Sequence, residues 1–303
     1  MVRTISISTF IRLNSAMKLL YLSKAMFHLI KTVIVAGSVW GLIAVIPAAA
    51  DKRHLLLQST TSTLNSGLYD VLLPAFTKKS GIEVRVVAVG TGQALRNAAN
   101  CDGDLVLVHS PEDEKAFMKK GFGARRLEVM QNRFVLLGPA DDPANVKDAA
   151  TVSAALKAIA KSRSRFLSRG DDSGTHTRER RLWSEAGINL SSAPGSWYLE
   201  AGQGMGASIN LAVQLDAYLL SDISTWLAFG NKSHHRLLYE DTSDSLLNRY
   251  SVLTVNPSHC PFVNQAGANR FADWLGSSEG QQQIAAFTLD GQQMFLPANY
   301  SSK

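Results

Sequence analysis

The chain reads as an α/β protein with largely parallel sheets, and three observations predict this. Short β-rich runs alternate with amphipathic helical stretches from residue 54 to residue 287. Several junctions have one form: a strand, a loop of Ser, Thr and Gly, then a helix start. A length of 303 residues, 46% hydrophobic and 18% charged, suffices for one or two globular domains.

Taken in order, His54–Gln58 reads as a buried strand. Gly67–Lys79 is a helix, with Leu68, Val71, Leu72, Ala75 and Phe76 at helical spacing. Glu83–Val89 is a β-rich strand, Thr91–Ala99 a helix, and Asp104–His109 another strand. Ser110-Pro111-Glu112-Asp113 is a helix start, with a Ser cap, Pro at the first position and acids in the first turn; that helix ends at Gly121. Leu127–Leu137 gives one or two strands closed by Gly138-Pro139, and Asp141-Asp142-Pro143 is a turn. Thr151–Ser162 is an amphipathic helix. An apolar run from Phe166 ends in Ser168-Arg169-Gly170, and a helix follows through Trp183 to Ala186. Ser196–Glu200 is a strand, and Gly202-Gln203-Gly204-Met205-Gly206 leads into a helix through Val213. Ala217–Leu220 is a strand and Ser221–Phe229 a short helical segment. Leu237–Glu240 and Ser251–Val255 are strands, and the helices Ala266–Leu275 and Glu279–Phe287 close the chain.

The first fifty residues differ from the rest. They hold five basic residues (Arg3, Arg12, Lys18, Lys24, Lys31) and no acid. Val33–Ile46 is an apolar run of 14, too short for a comfortable membrane span, and Pro47-Ala48-Ala49-Ala50 resembles a cleavage site. Residues 1–50 thus read as a signal peptide, with the mature chain expected from Asp51. Without those five, 26 basic residues face 25 acidic ones, so the formal charge of +6 belongs almost wholly to the leader. No basic stripe with interleaved aromatics remains, which argues against nucleic acid as a partner. In an exported chain the two cysteines, Cys101 and Cys260, could form a disulfide worth ~4–5 kcal/mol, or stand as two buried thiols. Neither has metal-ligand spacing beyond the neighbour pair His259-Cys260, so no metal is expected.

Three strand-to-helix loops carry the chemistry: Ser59-Thr60-Thr61-Ser62-Thr63, Gly90-Thr91-Gly92-Gln93 and Ser168-Arg169-Gly170-Asp171-Asp172-Ser173-Gly174-Thr175. Unpaired backbone N–H groups at a helix start suit an anion. A buried oxyanion needs donors to replace its water; hydroxyls donate without charge, and Arg adds a fixed fork and a permanent positive charge. The candidate binding residues are Ser59, Thr60, Thr61, Ser62, Thr91, Arg169, Ser173 and Thr175. Ordinary N-capping explains any one such loop; three in one chain favour a shared site.

Other patterns point elsewhere. The glycines at 202, 204 and 206 alternate and lack dinucleotide spacing, so they read as a turn. His176 and Glu179 read as a solvated helix face, His234-His235 as an exposed polar loop, and Asp171-Asp172 as groups orienting Arg169. Ser173 with His176 and Asp171 matches a hydrolase set only in composition, without G-x-S-x-G.

At these loops the chain resembles the periplasmic tungstate-binding proteins, the substrate-binding components of tungstate ABC transporters. The shared features run over nearly all of residues 54–297. They include Thr60–Thr63 with Ser66-Gly67-Leu68, Val89–Leu95, Asp104–His109, Met130–Asn132, Gly138-Pro139, Ser168–His176, Leu182-Trp183, Gly204-Met205, Asn256-Pro257 and Phe271–Leu275. The resemblance implies a two-lobed type II periplasmic binding fold with the ligand in the interlobe cleft. If Phe134–Leu137 and Ser251–Val255 cross between lobes, residues 51–134 and 252–303 form one lobe and 135–251 the other. It implies a tetrahedral oxyanion held by hydroxyls, backbone amides and Arg169. The expected function is capture of tungstate in the periplasm by a monomer and delivery to an inner-membrane ABC permease. No cofactor and no catalysis are expected. Molybdate, sulfate or phosphate are alternative ligands, and a secreted hydrolase using Ser173 and His176 is the alternative class. Two departures are Ile223, where the family commonly has Arg after Asp222, and Arg133, where an acid is usual.

Overall fold

The computed structural model describes residues 54–192 and 197–298. The signal-peptide reading of residues 1–50 and the expected start at Asp51 lie outside the described residues.

The chain opens with β1 (His54–Thr60), α1 (Thr61–Asn65), α2 (Leu68–Ser80), β2 (Glu83–Val89), α3 (Thr91–Ala99), β3 (Leu105–Val108), α4 (Pro111–Lys119) and β4 (Gly123–Pro139). It continues through α5 (Val152–Ser162), β5 (Phe166–Ser168), α6 (Gly174–Glu185), β6 (Tyr198–Glu200), α7 (Met205–Leu215), β7 (Leu219–Asp222), α8 (Ile223–Ala228), β8 (His235–Tyr239) and β9 (Leu247–Val255). It closes with α9 (Gln265–Gly276), α10 (Ser278–Ala286) and the short strands β10 (Thr288–Leu289), β11 (Gln292–Gln293) and β12 (Leu296–Pro297). No helix among the described residues is long and apolar enough to cross a membrane.

One sheet runs in the order β12-β4-β9-β3-β1-β2. Only β1–β2 and β1–β3 are parallel in it; β9 pairs antiparallel with β3 and β4, and β4 antiparallel with β12. The expectation of largely parallel sheets is therefore corrected. Strand-helix alternation reports the βαβ units, but β4 and β9 lie side by side antiparallel although helices and strands of the second lobe intervene between them in sequence. Of the one or two strands expected over 127–137, the structure has one, the 17-residue β4. Its first part pairs with β9 up to Arg133↔Leu247, and from Phe134 it pairs with β7 and β8. One strand thus leaves the first sheet and enters the second.

The apolar cores divide at the same place. Leu57, Leu72, Phe76, Phe271 and Leu275 pack on one face of the first sheet, and Leu95, Val106, Phe117 and Val255 on the other. Phe134, Leu156, Phe166, Trp183 and Tyr218 form a separate core, as do Leu137, Leu167, Ile209 and Leu219. Each cluster is built from helix residues at 3–4 spacing set against alternating strand residues. The result is a two-lobed α/β fold in which β4 runs from the first lobe into the second and the chain returns to the first at the start of β9. Cys101 and Cys260 are joined by a disulfide in the first lobe, with Cα atoms 5.4 Å apart.

Two local expectations change. The strand expected at 217–220 runs instead to Asp222, which stays extended and caps α8 by accepting from Thr225 N at 2.9 Å. His235, expected in an exposed loop, is fully buried in β8, with Nε2 2.9 Å from the Ala217 carbonyl oxygen.

Candidate anion site

Four helices start at the junction of the lobes: α1 and α3 from the first lobe, α6 and α7 from the second. None carries an acid in its first turn. Thr60 caps α1, accepting from Thr63 N at 3.3 Å, and Ser173 caps α6, accepting from His176 N at 3.2 Å. The starts of α3 and α6 touch, Gly174 N donating to Thr91 Oγ1 at 3.2 Å. The approach at Gly174 is close: a Cβ would stand 3.0 Å from Thr91 Oγ1 and 3.1 Å from the His109 ring, so either neighbour would have to give by a few tenths of an ångström. A Cβ on Gly204, before α7, would lie 3.6 Å from Thr61 Oγ1, so α1 and α7 meet in the same way. Their free N–H groups and positive dipole ends thus converge.

Arg169 follows β5, and the chain then turns through Gly170 at φ 61, in the left-handed region that favours glycine. Its side chain is only 3% exposed and pairs with Asp171. Asp171 also accepts from Ser173 N at 3.3 Å, so the acid holds the Arg to the loop as expected. Among the described residues, Arg169 Nε and Thr175 Oγ1 are two of the buried polar atoms of this stretch that have no partner; Ser168 Oγ and His176 Nε2 are others. Beneath the loop, Glu179 accepts from the Tyr198 hydroxyl at 2.7 Å. Burial pushes the Glu179 carboxyl up to about 7, against the pull of its hydrogen bonds. His176 and Glu179 are 7% and 3% exposed, which corrects the reading of a solvated helix face: Glu179 faces Tyr198 of β6, and His176 folds back onto its own loop at Asp172.

The predicted residues divide into two groups. Thr91, Arg169, Ser173 and Thr175 come together at the α3–α6 contact, and Thr61 lies at the α1–α7 contact. Ser59 sits inside β1, its hydroxyl bonded to the Leu107 carbonyl at 3.0 Å and to Tyr69. Thr60 and Ser62 bond to each other at 3.1 Å, and Ser62 Oγ lies 3.3 Å from His109 Nε2. His109 was not singled out from the sequence; neither were Asn132, Asn248 and Asp222, to which it connects. Burial lowers the His109 pKa to about 4; Arg169 adds to this, and Asp222 opposes it. Asp222 is fully buried, and its carboxylate accepts from Ser224 Oγ, Thr225 N and Thr225 Oγ1. Ile223 turns from the loops into a groove of about 590 Å³ shared with Arg133, Trp226 and Leu237. Arg133 there faces Glu240 at 3.6 Å.

Two alternative chemistries find little support in this geometry. Ser173 Oγ is engaged with the His176 backbone, while His176 Nδ1 accepts from Asp172 N at 3.1 Å, so no Ser–His side-chain pair forms. Cys101, His259 and Cys260 lie at metal-ligand distances, but the two sulfurs are bonded to each other.

A family model described as a PBP superfamily domain matches residues 47–279. A protein named tungstate-binding protein TupA from Peptoclostridium acidaminophilum is 41% identical over 250 residues, covering 81% of this chain and 86% of that protein. The chain belongs to the periplasmic tungstate-binding protein family. A second member so named, from Campylobacter jejuni, is 38% identical over 240 residues, covering 78% of this chain and 87% of that protein. Among solved structures, a tungstate ABC transporter protein from Geobacter sulfurreducens aligns with a TM-score of 0.72 at 43% identity, over 77% of this chain and 98% of that one. The TupA protein of Desulfovibrio alaskensis G20 aligns at 0.70 with 44% identity, over 80% and 98%. The family's two-lobed fold is the one described above.

Proposed function

We propose that this protein captures tungstate in the periplasm as a monomer and delivers it to an inner-membrane ABC permease, without a cofactor and without catalysis. The observation that carries this reading is the buried Arg169, with unpartnered Nε, in the same loop-to-helix stretch as the equally unpartnered Thr175 Oγ1, where acid-free helix starts meet. A guanidinium, neutral hydroxyls and backbone N–H groups suit a desolvated tetrahedral dianion. Arg169, Thr91, Ser173 and Thr175 are assigned as side-chain donors, with Thr61 at the facing edge. The relatives' names support tungstate over other oxyanions.

Phosphate, which can carry a proton, would need an acceptor. The Asp171 carboxylate is engaged with Arg169 and that of Asp222 with α8. That favours a fully deprotonated anion. In the same reading residues 1–50 are removed on export, and the lobes close on the ligand through β4 and β9. Calorimetry of the purified protein against tungstate, molybdate, sulfate and phosphate tests the proposal. Saturable 1:1 binding of tungstate is expected, with phosphate far weaker. Absence of tungstate binding by a well-folded protein would end this reading.

A further inference from the structure

A single string of side-chain hydrogen bonds runs from the first loop, across the paired strands β9 and β4, to the start of α8. Its direction can be worked out from one end. The Asp222 carboxylate has no hydrogen to give, so Ser224, 2.5 Å away, must donate its only hydroxyl hydrogen to Asp222 Oδ1. Ser224 Oγ can then only accept from Asn132, which presents Nδ2 at 3.1 Å. The Asn132 carbonyl oxygen therefore faces its register partner on β9, Asn248, whose Nδ2 donates to it at 2.8 Å. The same Nδ2 also donates to the Tyr250 hydroxyl oxygen at 3.0 Å. That leaves the Asn248 carbonyl oxygen facing His109 Nδ1 at 3.0 Å, so Nδ1 carries the hydrogen.

The His109 ring is 3% exposed, packed against Tyr250 and Phe134, and its burial favours the neutral form. A neutral ring with hydrogen on Nδ1 has a bare Nε2, and Ser62 Oγ, 3.3 Å away, donates to it. Ser62 then has only lone pairs left. It accepts from Thr60 at 3.1 Å, and Thr60 accepts from Thr63 at 2.8 Å. One acceptor at Asp222 thus sets the direction of every bond in the string, and with it the amide orientations and the ring tautomer.

We infer that His109 is a positioning residue of the anion site: held as the Nδ1–H tautomer by Asp222 through Asn132 and Asn248, it turns the hydroxyl hydrogens of Ser62 and Thr60 away from the ligand. The hydroxyls left to donate to the anion are then Thr61, Thr91, Ser173 and Thr175, and Ser62 and Thr60 contribute orientation. Among the described residues, no recorded bond takes the hydroxyl hydrogen of Ser173 or Thr175. This inference rests on the anion-site reading above for its functional consequence, but its core, the ring tautomer, is independent of the ligand.

The test is long-range ¹H–¹⁵N correlation spectroscopy of the ligand-free protein labelled at histidine, at pH 7, with the His109 signals identified by their loss in His109→Gln. The expected result is a protonated Nδ1 and a bare Nε2. A neutral imidazole free in water prefers the opposite arrangement, so the observation is diagnostic. Hydrogen on Nε2, or a doubly protonated ring, overturns the inference whether or not tungstate binds. Ser224→Ala removes the link to Asp222. It should mix the two tautomers and weaken tungstate binding about 3- to 10-fold, the worth of about one neutral hydrogen bond. Ser224→Thr, which keeps the hydroxyl, should restore both. A shifted tautomer with unchanged affinity would overturn the positioning role. If the parent protein shows the Nδ1–H ring yet fails to bind tungstate, the function proposed above falls and the tautomer assignment stands.

Discussion

The starts of α4 and α6 are made from similar parts and end in opposite states. Both follow a strand end, and both have Ser at the cap. At α4 the chain supplies its own negative charge: Ser110 N donates to Glu114 Oε1 at 2.9 Å, and Ser110 Oγ to Asp113 Oδ2 at 2.6 Å. Glu114 is fully buried against Arg126, and its burial pushes the carboxyl up despite that partner. At α6 there is no acid in the first turn, and among the described residues neither Thr175 Oγ1 nor Nε of Arg169, in the loop before it, has a partner. A helix dipole alone therefore does not make an anion site. What decides is whether the nearby sequence has already neutralised the helix start.

The contrast can be broken most severely by giving α6 an acid of its own. Ser173→Asp should keep the cap, since Asp caps about as well as Ser, so the melting temperature should stay close to that of the parent. Tungstate affinity should fall on the order of 100-fold or more, because like charges brought together cost several kcal/mol. Binding that survives this change, measured by calorimetry, would place the anion elsewhere.

Removing the counter-charge is the next largest step. Arg169→Ala should weaken tungstate binding by about 30-fold or more, the loss expected for one buried charged partner at roughly 2–5 kcal/mol. Arg169→Lys should remain impaired, since an ammonium cannot reproduce the planar fork. Circular dichroism should show the same fold in both.

Glu179 sharpens the contrast from below, because it is the buried acid under the α6 loop that lacks an arginine side chain to pair with. Its folded pKa is raised from 4.5 to about 7. Its contribution to stability is therefore fully present below pH 4.5 and is lost as pH rises through 7. Between those limits the parent should lose on the order of 2–3 kcal/mol relative to Glu179→Gln. Urea unfolding of both proteins from pH 4.5 to 8 measures the difference; parallel curves would contradict it.

Thr91→Ala should have the smallest effect. It removes one neutral hydroxyl and the acceptor of the Gly174 N–H, worth about 0.5–1.5 kcal/mol, or roughly 2- to 10-fold in affinity. A loss as large as that of Arg169→Ala would mean that the charge is not the main determinant.

The parts of the molecule legible in the sequence are those written locally. The Ser168–Thr175 loop shows its Arg, its hydroxyls and its turn within eight residues, and the βαβ units show in their alternation. The antiparallel course of β4 and β9 was not legible, because pairing between residues more than a hundred positions apart leaves no local period. Burial of His176, Glu179 and His235 was missed for a related reason. A polar residue at helical or strand spacing reads as solvent-facing until the second lobe's tertiary packing is known. Ser59 and Ser62 illustrate the converse: in sequence they are as much loop hydroxyls as Thr61, but Ser59 is bonded within β1 and Ser62 to His109. His109 itself gives no sign beyond standing at the end of a strand, since its partners Asn132 and Asn248 lie on other strands.

The bond between Cys101 and Cys260 spans 159 positions of sequence, and the buried apolar residues of the second lobe, from Phe134 to Leu246, all lie within that span. The second lobe is thus a covalent ring closed on the first. A protease that clips one of its exposed loops cannot release a fragment; the cut chain keeps its mass until a reductant is added. If the second lobe comes undone while the first holds, its two ends stay anchored at neighbouring points, and re-forming it starts from a tethered loop rather than a free chain.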